Sequence, residues 1–227
     1  MTTPFKADYS DQTAIFDPTK FGHKVTVIGC GGIGASTLLT LATLGIPHFD
    51  LWDPDIVEPR NVASQLMFRP CDVTRPKVVV AQETLLSYGV PEVTIHEGEF
   101  HADEHADELD GIVISGVDTM AVRKDIWQAI AWNPSVALYL DGRIGGEHWQ
   151  LNSVDPNGLD DIEWYEQFQL FDDADAAPLP CAERAVVYPA VMLGAAMVAN
   201  ITRFQRGLPL EQMLMGDMKT MTLAKMG

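Results

Sequence analysis

The sequence predicts an α/β fold: a Rossmann-like, doubly wound and mainly parallel sheet, with an added antiparallel strand region near the C-terminal part. Three observations predict it. Short apolar runs of strand character alternate with segments of helical spacing. A glycine-rich turn, Gly29-Cys30-Gly31-Gly32-Ile33-Gly34, follows the first apolar run and opens a helix. Gly29, Asp53, Asp118 and Asp141 each follow a predicted strand, so they converge on the carboxyl edge of the sheet, where ligands bind in such folds.

The elements follow in order. Residues 1–22 form an N-terminal arm with a mobile opening. Lys24 to Ile28 reads as the first strand and Gly32 to Leu44 as the first helix, closed by Gly45 and Pro47. Phe49 to Trp52 is the second strand. Residues 59–76, rich in Pro, Asn and Asp, are irregular or briefly helical, and Lys77 to Tyr88 has helical spacing that Gly89 ends. Val93 to His96 and Gly111 to Ser115 are strands, Thr119 to Trp132 a helix, and Val136 to Leu140 a strand. Glu147 to Val154 alternates like an added antiparallel strand. The acidic stretch 155–177 has no Lys or Arg and reads as a long surface excursion anchored by Trp164, Tyr165, Phe168 and Phe171. Ala185 to Ile201 is an apolar helix, buried or packed on a second subunit.

Composition bounds the function. At 227 residues and 24.9 kDa the chain fits one domain with a full core. A formal net charge of −17 excludes unassisted binding to nucleic acid or an anionic membrane, which needs clustered cations. The opening MTTPFKADYSDQ lacks the basic start and apolar core of an export signal, so a cytoplasmic location is expected. Pro189, Gly194 and Tyr188 interrupt the one apolar stretch that approaches the length of a membrane span. Three cysteines without a CxxC pair provide neither a disulfide framework nor a four-cysteine zinc site, and no zinc is expected. His96, His101 and His105 do not have the spacing of a metal set.

The glycine turn lets the backbone approach a ligand closely, and the open N–H groups at the helix start attract an anion such as phosphate. Asp53 ends the second strand, where a carboxylate accepts hydrogen bonds from ribose hydroxyls. That much fits NAD, FAD and ATP equally. The chain continues Asp53-Pro-Asp55-Ile-Val57, then Asn61-Val-Ala-Ser64-Gln65, with Lys77 after a short loop and Asp118 at a later strand end.

This ordered set resembles the ThiF/MoeB/HesA family, bacterial relatives of the ubiquitin-activating enzymes, whose pattern runs GxGGxG, DxDxVxxxNxxRQ, a Lys and a strand-end Asp. The resemblance spans Val25 to Arg123 in motif terms. It implies ATP- and Mg²⁺-dependent adenylylation of the C-terminal carboxylate of a small ubiquitin-like or sulfur-carrier protein, by a homodimer. It assigns Gly29, Gly31, Gly32 and Gly34 to the nucleotide turn, Asp53 to ribose, Asn61 and Lys77 to phosphates, and Asp118 to Mg²⁺. Asp55 and Gln65 join the nucleotide-binding set. Asp118 is also placed to cap the helix after it. Cys181, before the long apolar helix, lies where several relatives keep a cysteine that takes the activated tail, and residues 155–182 correspond to a crossover over that tail.

Two departures stand out. Ser64 occupies the position of the family Arg in NxxRQ, and Tyr9-Ser10-Asp11-Gln12 replaces a family Tyr-Ser-Arg-Gln that reaches a neighbouring subunit. Arg60 and Arg143 are the candidate replacements, Arg143 being equally suited to a structural ion pair with Asp141 or Glu147. Alternative readings are a non-catalytic scaffold of the same fold and an NAD-dependent oxidoreductase.

Overall fold

The computed structural model describes residues 7–172 and 186–226. Its elements are β1 (Val25–Ile28), α1 (Gly32–Leu44), β2 (His48–Trp52), α2 (Pro59–Ser64), α3 (Lys77–Ser87), β3 (Glu92–His96), α4 (Ala102–His105) and β4 (Gly111–Ser115). After these come α5 (Met120–Ile130), β5 (Val136–Gly145), β6 (His148–Val154), α6 (Leu159–Phe168), α7 (Val187–Gln205), β7 (Met213–Asp217) and β8 (Thr222–Met226). One sheet holds all strands of the described residues, in the order β3-β2-β1-β4-β5-β6-β7-β8. Strands β3 to β5 pair in parallel, and β6, β7 and β8 continue the sheet antiparallel.

Strands β1 and β4, inside the parallel part of the sheet, are buried along their whole length, which is why they read as unbroken apolar runs rather than alternating ones. Helices α1, α3 and α7 cover one face, where Val27, Leu38, Leu85, Leu140, Leu193 and Met197 form one core. On the other face α5 and α6 enclose a second core of Val113, Ile126, Trp127, Tyr139 and Tyr165. Chain order reverses between β1 and β4, and the crevice that opens at their carboxyl ends is the switch point of a doubly wound sheet.

Helix α7 is long and apolar enough to cross a membrane by length and composition. Leu193, Met197 and Ile201 of its inner face are buried in the core, and Gly194 brings α7 so near α1 that an added Cβ would stand 3.0 Å from the Thr37 nitrogen. Tyr188, Val191 and Met192 face outward.

Two expectations require correction, the end of β5 and the acidic stretch, and the described part of the arm and the C-terminal strands add detail. The arm is docked from its first turn onward: Phe16 and Phe21 are buried, and the Gln12 side chain donates to the Leu44 carbonyl (2.7 Å). That contact is at the far end of α1, roughly 20 Å of helix away from the glycine turn, so Asp11 lies remote from its own chain's cleft. Strand β5 continues past Leu140 to Gly145, carrying Asp141 and Arg143 within the sheet. The acidic stretch contains a helix, α6. Its opening acids Asp160 and Asp161 suit the positive helix start, and Ile162 and Tyr165, one turn apart, are the buried stripe. Lastly, β7 and β8 follow α7, where Met-rich sequence gives little strand signal; Asp217 makes the turn between them by accepting from the Lys219 and Thr220 N–H groups.

Candidate functional site

A cleft of about 640 Å³, within the range of small-molecule sites, occupies the switch point. The turn after β1 forms its floor. Gly29 has φ +94°, and an added Cβ would stand 2.9 Å from the Gly116 backbone, so the β1 and β4 ends approach as only glycine allows. Gly34 is tighter still, its place for a Cβ being 2.0 Å from the Gly29 carbonyl oxygen. It lies beneath the turn, off the cleft lining, and sets α1 against the strand end. Gly31, Gly32 and Ile33 line the cleft, and among the described residues no side chain caps the start of α1. Its N–H groups are left to an anion.

Asp53 closes the turn. One carboxylate oxygen accepts from the Cys30 N–H (2.7 Å) and the other from the Asp55 N–H (2.9 Å). Burial pushes the Asp53 carboxyl up, against the lowering pull of Lys77 and these two hydrogen bonds. Burial pushes the Cys30 thiol well up too, with the Asp53 charge adding to the effect, so Cys30 is a packing residue. Lys77, only 6 % exposed, is the first residue of α3; its Nζ donates to Asp55 (2.6 Å) and lies 3.8 Å from Asp53. The cleft thus contains a buried ammonium held by two acids.

The rest of the expected set divides. Gln65, Ser64, Asp55, Asp118 and Arg143 line the cleft. The Gln65 Oε1 is buried without a hydrogen-bond partner among the described residues, an acceptor that a ligand donor would satisfy. Asn61 and Arg60 stay off the cleft. The Asn61 side chain accepts from the Glu58 N–H (2.8 Å) to cap α2, and Arg60 is exposed and pairs with Glu58. Asp118 is exposed on the cleft, and the cap of α5 is Thr119, whose hydroxyl accepts from the Val122 N–H (3.4 Å). Cys181 lies outside the described residues.

Arg143 lines the cleft and forms an ion pair with Asp141. Its Nε and Nη2 reach Asp141 at 2.8 and 2.6 Å, Nη2 also donates to the Gln169 carbonyl (2.9 Å), and the guanidinium lies over the Phe171 ring. Asp141 is fully buried, and it also accepts from Arg123 (2.6 Å), Asn152 (3.0 Å) and the Tyr165 hydroxyl (3.0 Å). Burial alone would raise its carboxyl; Arg123 and Arg143 outweigh that and hold it below the usual carboxylate range. Arg123, buried and lining the cleft, is the residue that sequence reading missed. Its signal was present as an arginine among apolar positions of α5, one turn past Asp118.

The model of the ThiF family matches residues 20–212. Over 107 residues the chain is 27% identical to SUMO-activating enzyme subunit 2 of Dictyostelium discoideum, covering 45% of this chain and 16% of that protein. It is 31% identical over 103 residues to the probable adenylyltransferase/sulfurtransferase MoeZ of Mycobacterium tuberculosis, covering 44% and 26%. The matched stretches therefore span about a quarter or less of these relatives. Among solved structures, E. coli MccB with SeMet MccA superposes with a TM-score of 0.76 at 17% identity, covering 98% of this chain and 72% of that one. PaaA superposes at 0.73 and 18%, covering 92% and 64%. These likenesses show the same fold.

Proposed function

The chain belongs to the ThiF family, and from that premise we propose that it binds ATP with Mg²⁺ and adenylylates the C-terminal carboxylate of a small ubiquitin-like or sulfur-carrier protein. One observation carries the reading: the uncapped glycine-rich start of α1, the buried ammonium of Lys77 and the carboxylates of Asp53 and Asp118 converge on one cleft at the switch point. A free carboxylate is a poor electrophile because its leaving group would be oxide. In the proposed step a carboxylate oxygen attacks the α-phosphorus of ATP. The bond from that phosphorus to the bridging oxygen breaks, pyrophosphate departs with the electron pair, and the acyl group gains AMP as a leaving group.

The residues support each part of that step. The α1 N–H groups and Lys77 stabilise negative charge on the phosphates, with phosphate displacing Asp55 from the ammonium. Asp53 already accepts two backbone N–H bonds, and a carboxylate has about four acceptor sites, which leaves capacity for ribose hydroxyls. Gln65 offers an oxygen that has no partner among the described residues, and Asp55 lines the same cleft. Asp118 suits Mg²⁺: it is an exposed hard-oxygen donor on the cleft, with no ion pair among the described residues, and this ion takes one or two protein carboxylates with water and phosphate oxygens. Bound there, Mg²⁺ would neutralise phosphate charge. Cytoplasmic location, homodimer formation through the outward apolar residues of α7, and onward transfer to Cys181 belong to the same proposal.

Exchange of labelled pyrophosphate into ATP, driven by candidate carriers ending in Gly-Gly, tests it. Exchange should occur with one carrier and fall about 10²- to 10³-fold in Lys77→Ala, the cost of losing one charge-stabilising donor. Undiminished exchange in that variant would contradict the reading. Ser64 on the cleft and the outward-facing Arg60 favour a second one, a scaffold that binds a carrier without activating it. It predicts a stable complex with no exchange.

A further inference from the structure

We infer that Arg123 is a positioning residue of the cleft: anchored on the buried Asp141, it clamps the backbone on both sides of Asp118 and aims that carboxylate at the phosphate end of the site. The inference rests on the proposed role of Asp118 toward Mg²⁺. Arg123 Nη2 donates to the Val117 carbonyl (2.8 Å) and Nη1 to the Thr119 carbonyl (3.4 Å). These are the two residues that flank Asp118, and all three line the cleft. The same guanidinium donates through Nε to Asp141 (2.6 Å) and through Nη2 to the Gly142 carbonyl (3.3 Å). It therefore fastens the loop after β4 to the middle of β5, the neighbouring strand, where Ser115 stands opposite Asp141.

An arginine is required for this geometry. Its planar fork presents donors in fixed directions and reaches the carboxylate and the carbonyls at once, whereas a lysine ammonium is a point donor on a flexible stem. Thr119 itself caps the start of α5, and Arg123 is the side chain that ties the carbonyls on both sides of Asp118. Residues that orient a metal-holding group typically contribute about 10- to 100-fold to metal affinity.

Calorimetric titration with ATP, in the presence and absence of Mg²⁺, separates positioning from general stability. Arg123→Lys should keep metal-free ATP affinity within about twofold and lose about tenfold of the tightening that Mg²⁺ provides. Asp118→Asn should lose the same tightening, and the double variant should be no worse than Asp118→Asn alone. Amide hydrogen exchange should also quicken at 117–119 in Arg123→Lys, a readout that needs no ligand. If Arg123→Lys does not fold, Asp141→Asn, which loosens the anchor and leaves the arginine, carries the same expectations. A wild-type response to Mg²⁺ in Arg123→Lys, or equal weakening with and without the metal, overturns the inference. Wild-type protein that binds no ATP at all overturns the nucleotide reading instead, and unchanged exchange at 117–119 would then overturn the clamp on its own.

Discussion

Lys77 and Asp55 meet at 2.6 Å at the mouth of the cleft, and the same ammonium is 3.8 Å from Asp53. The strongest cation of the proposed phosphate site is therefore neutralised by the acids around it, and Asp53 depends on it. Burial raises the Asp53 carboxyl, and the charge of Lys77 is the largest influence opposing that rise.

Lys77→Met consequently has a signed effect on the ligand-free protein. Removing the ammonium lifts the folded-state value of Asp53 further above its unfolded value of about 3.9. A raised carboxyl favours the folded state below the unfolded value, and that contribution is lost as pH rises through the folded value. The variant should lose more stability than the wild type between about pH 4 and pH 7. Urea unfolding across that range measures it; parallel pH profiles would show that Lys77 does not hold the Asp53 charge.

Asp141 has the opposite sign. Although burial opposes it, Arg123 and Arg143 depress the folded-state value. The resulting stability is fully present above the unfolded value of about 3.9 and is lost as pH falls through the folded one. Asp141→Asn leaves the buried Arg123 and the partly buried Arg143 without their anion and should cost about 3 kcal/mol at neutral pH. It should also flatten the acid limb of the stability profile below about pH 4. An unchanged acid limb would contradict the hub role.

The glycine turn makes a matched pair of predictions. At Gly34 an added Cβ meets the Gly29 carbonyl at 2.0 Å, while at Gly98, also on the cleft, nothing lies within 4 Å. Gly34→Ala should therefore destabilise by about 2 kcal/mol or more through overpacking. Gly98→Ala should change stability by about 0.5 kcal/mol or less. Thermal unfolding of both variants distinguishes them, and equal midpoints would mean the α1 start is not wedged against the turn.

Legibility followed local pattern. The glycine turn, α1, β4 and the acids Asp53 and Asp118 beyond strand ends were readable from spacing and residue type, whereas Asp141 lies inside β5. Asp53, Asp55, Gln65, Lys77 and Asp118 converge on the cleft as their motif order implied. Asn61 and Arg60 do not, since the chain after Asp55 turns so that Asn61 caps α2 and Arg60 meets solvent. Helix α6 was hidden because its buried stripe is only Ile162 and Tyr165 among acids. Arg123 was hidden because its meaning comes from Asp141, a strand away in space and eighteen residues along the chain. No local periodicity reports that pairing.

The most direct test of the central claim is isothermal titration of the purified chain with ATP plus Mg²⁺, with NAD⁺ as the competing ligand and Asp53→Ala as the variant. The account predicts saturable ATP binding that weakens about tenfold or more when the Asp53 carboxylate is removed, a difference of about 1.4 kcal/mol. NAD⁺ should give no comparable heat. Tight NAD⁺ binding without ATP binding, or ATP affinity indifferent to Asp53, would contradict it.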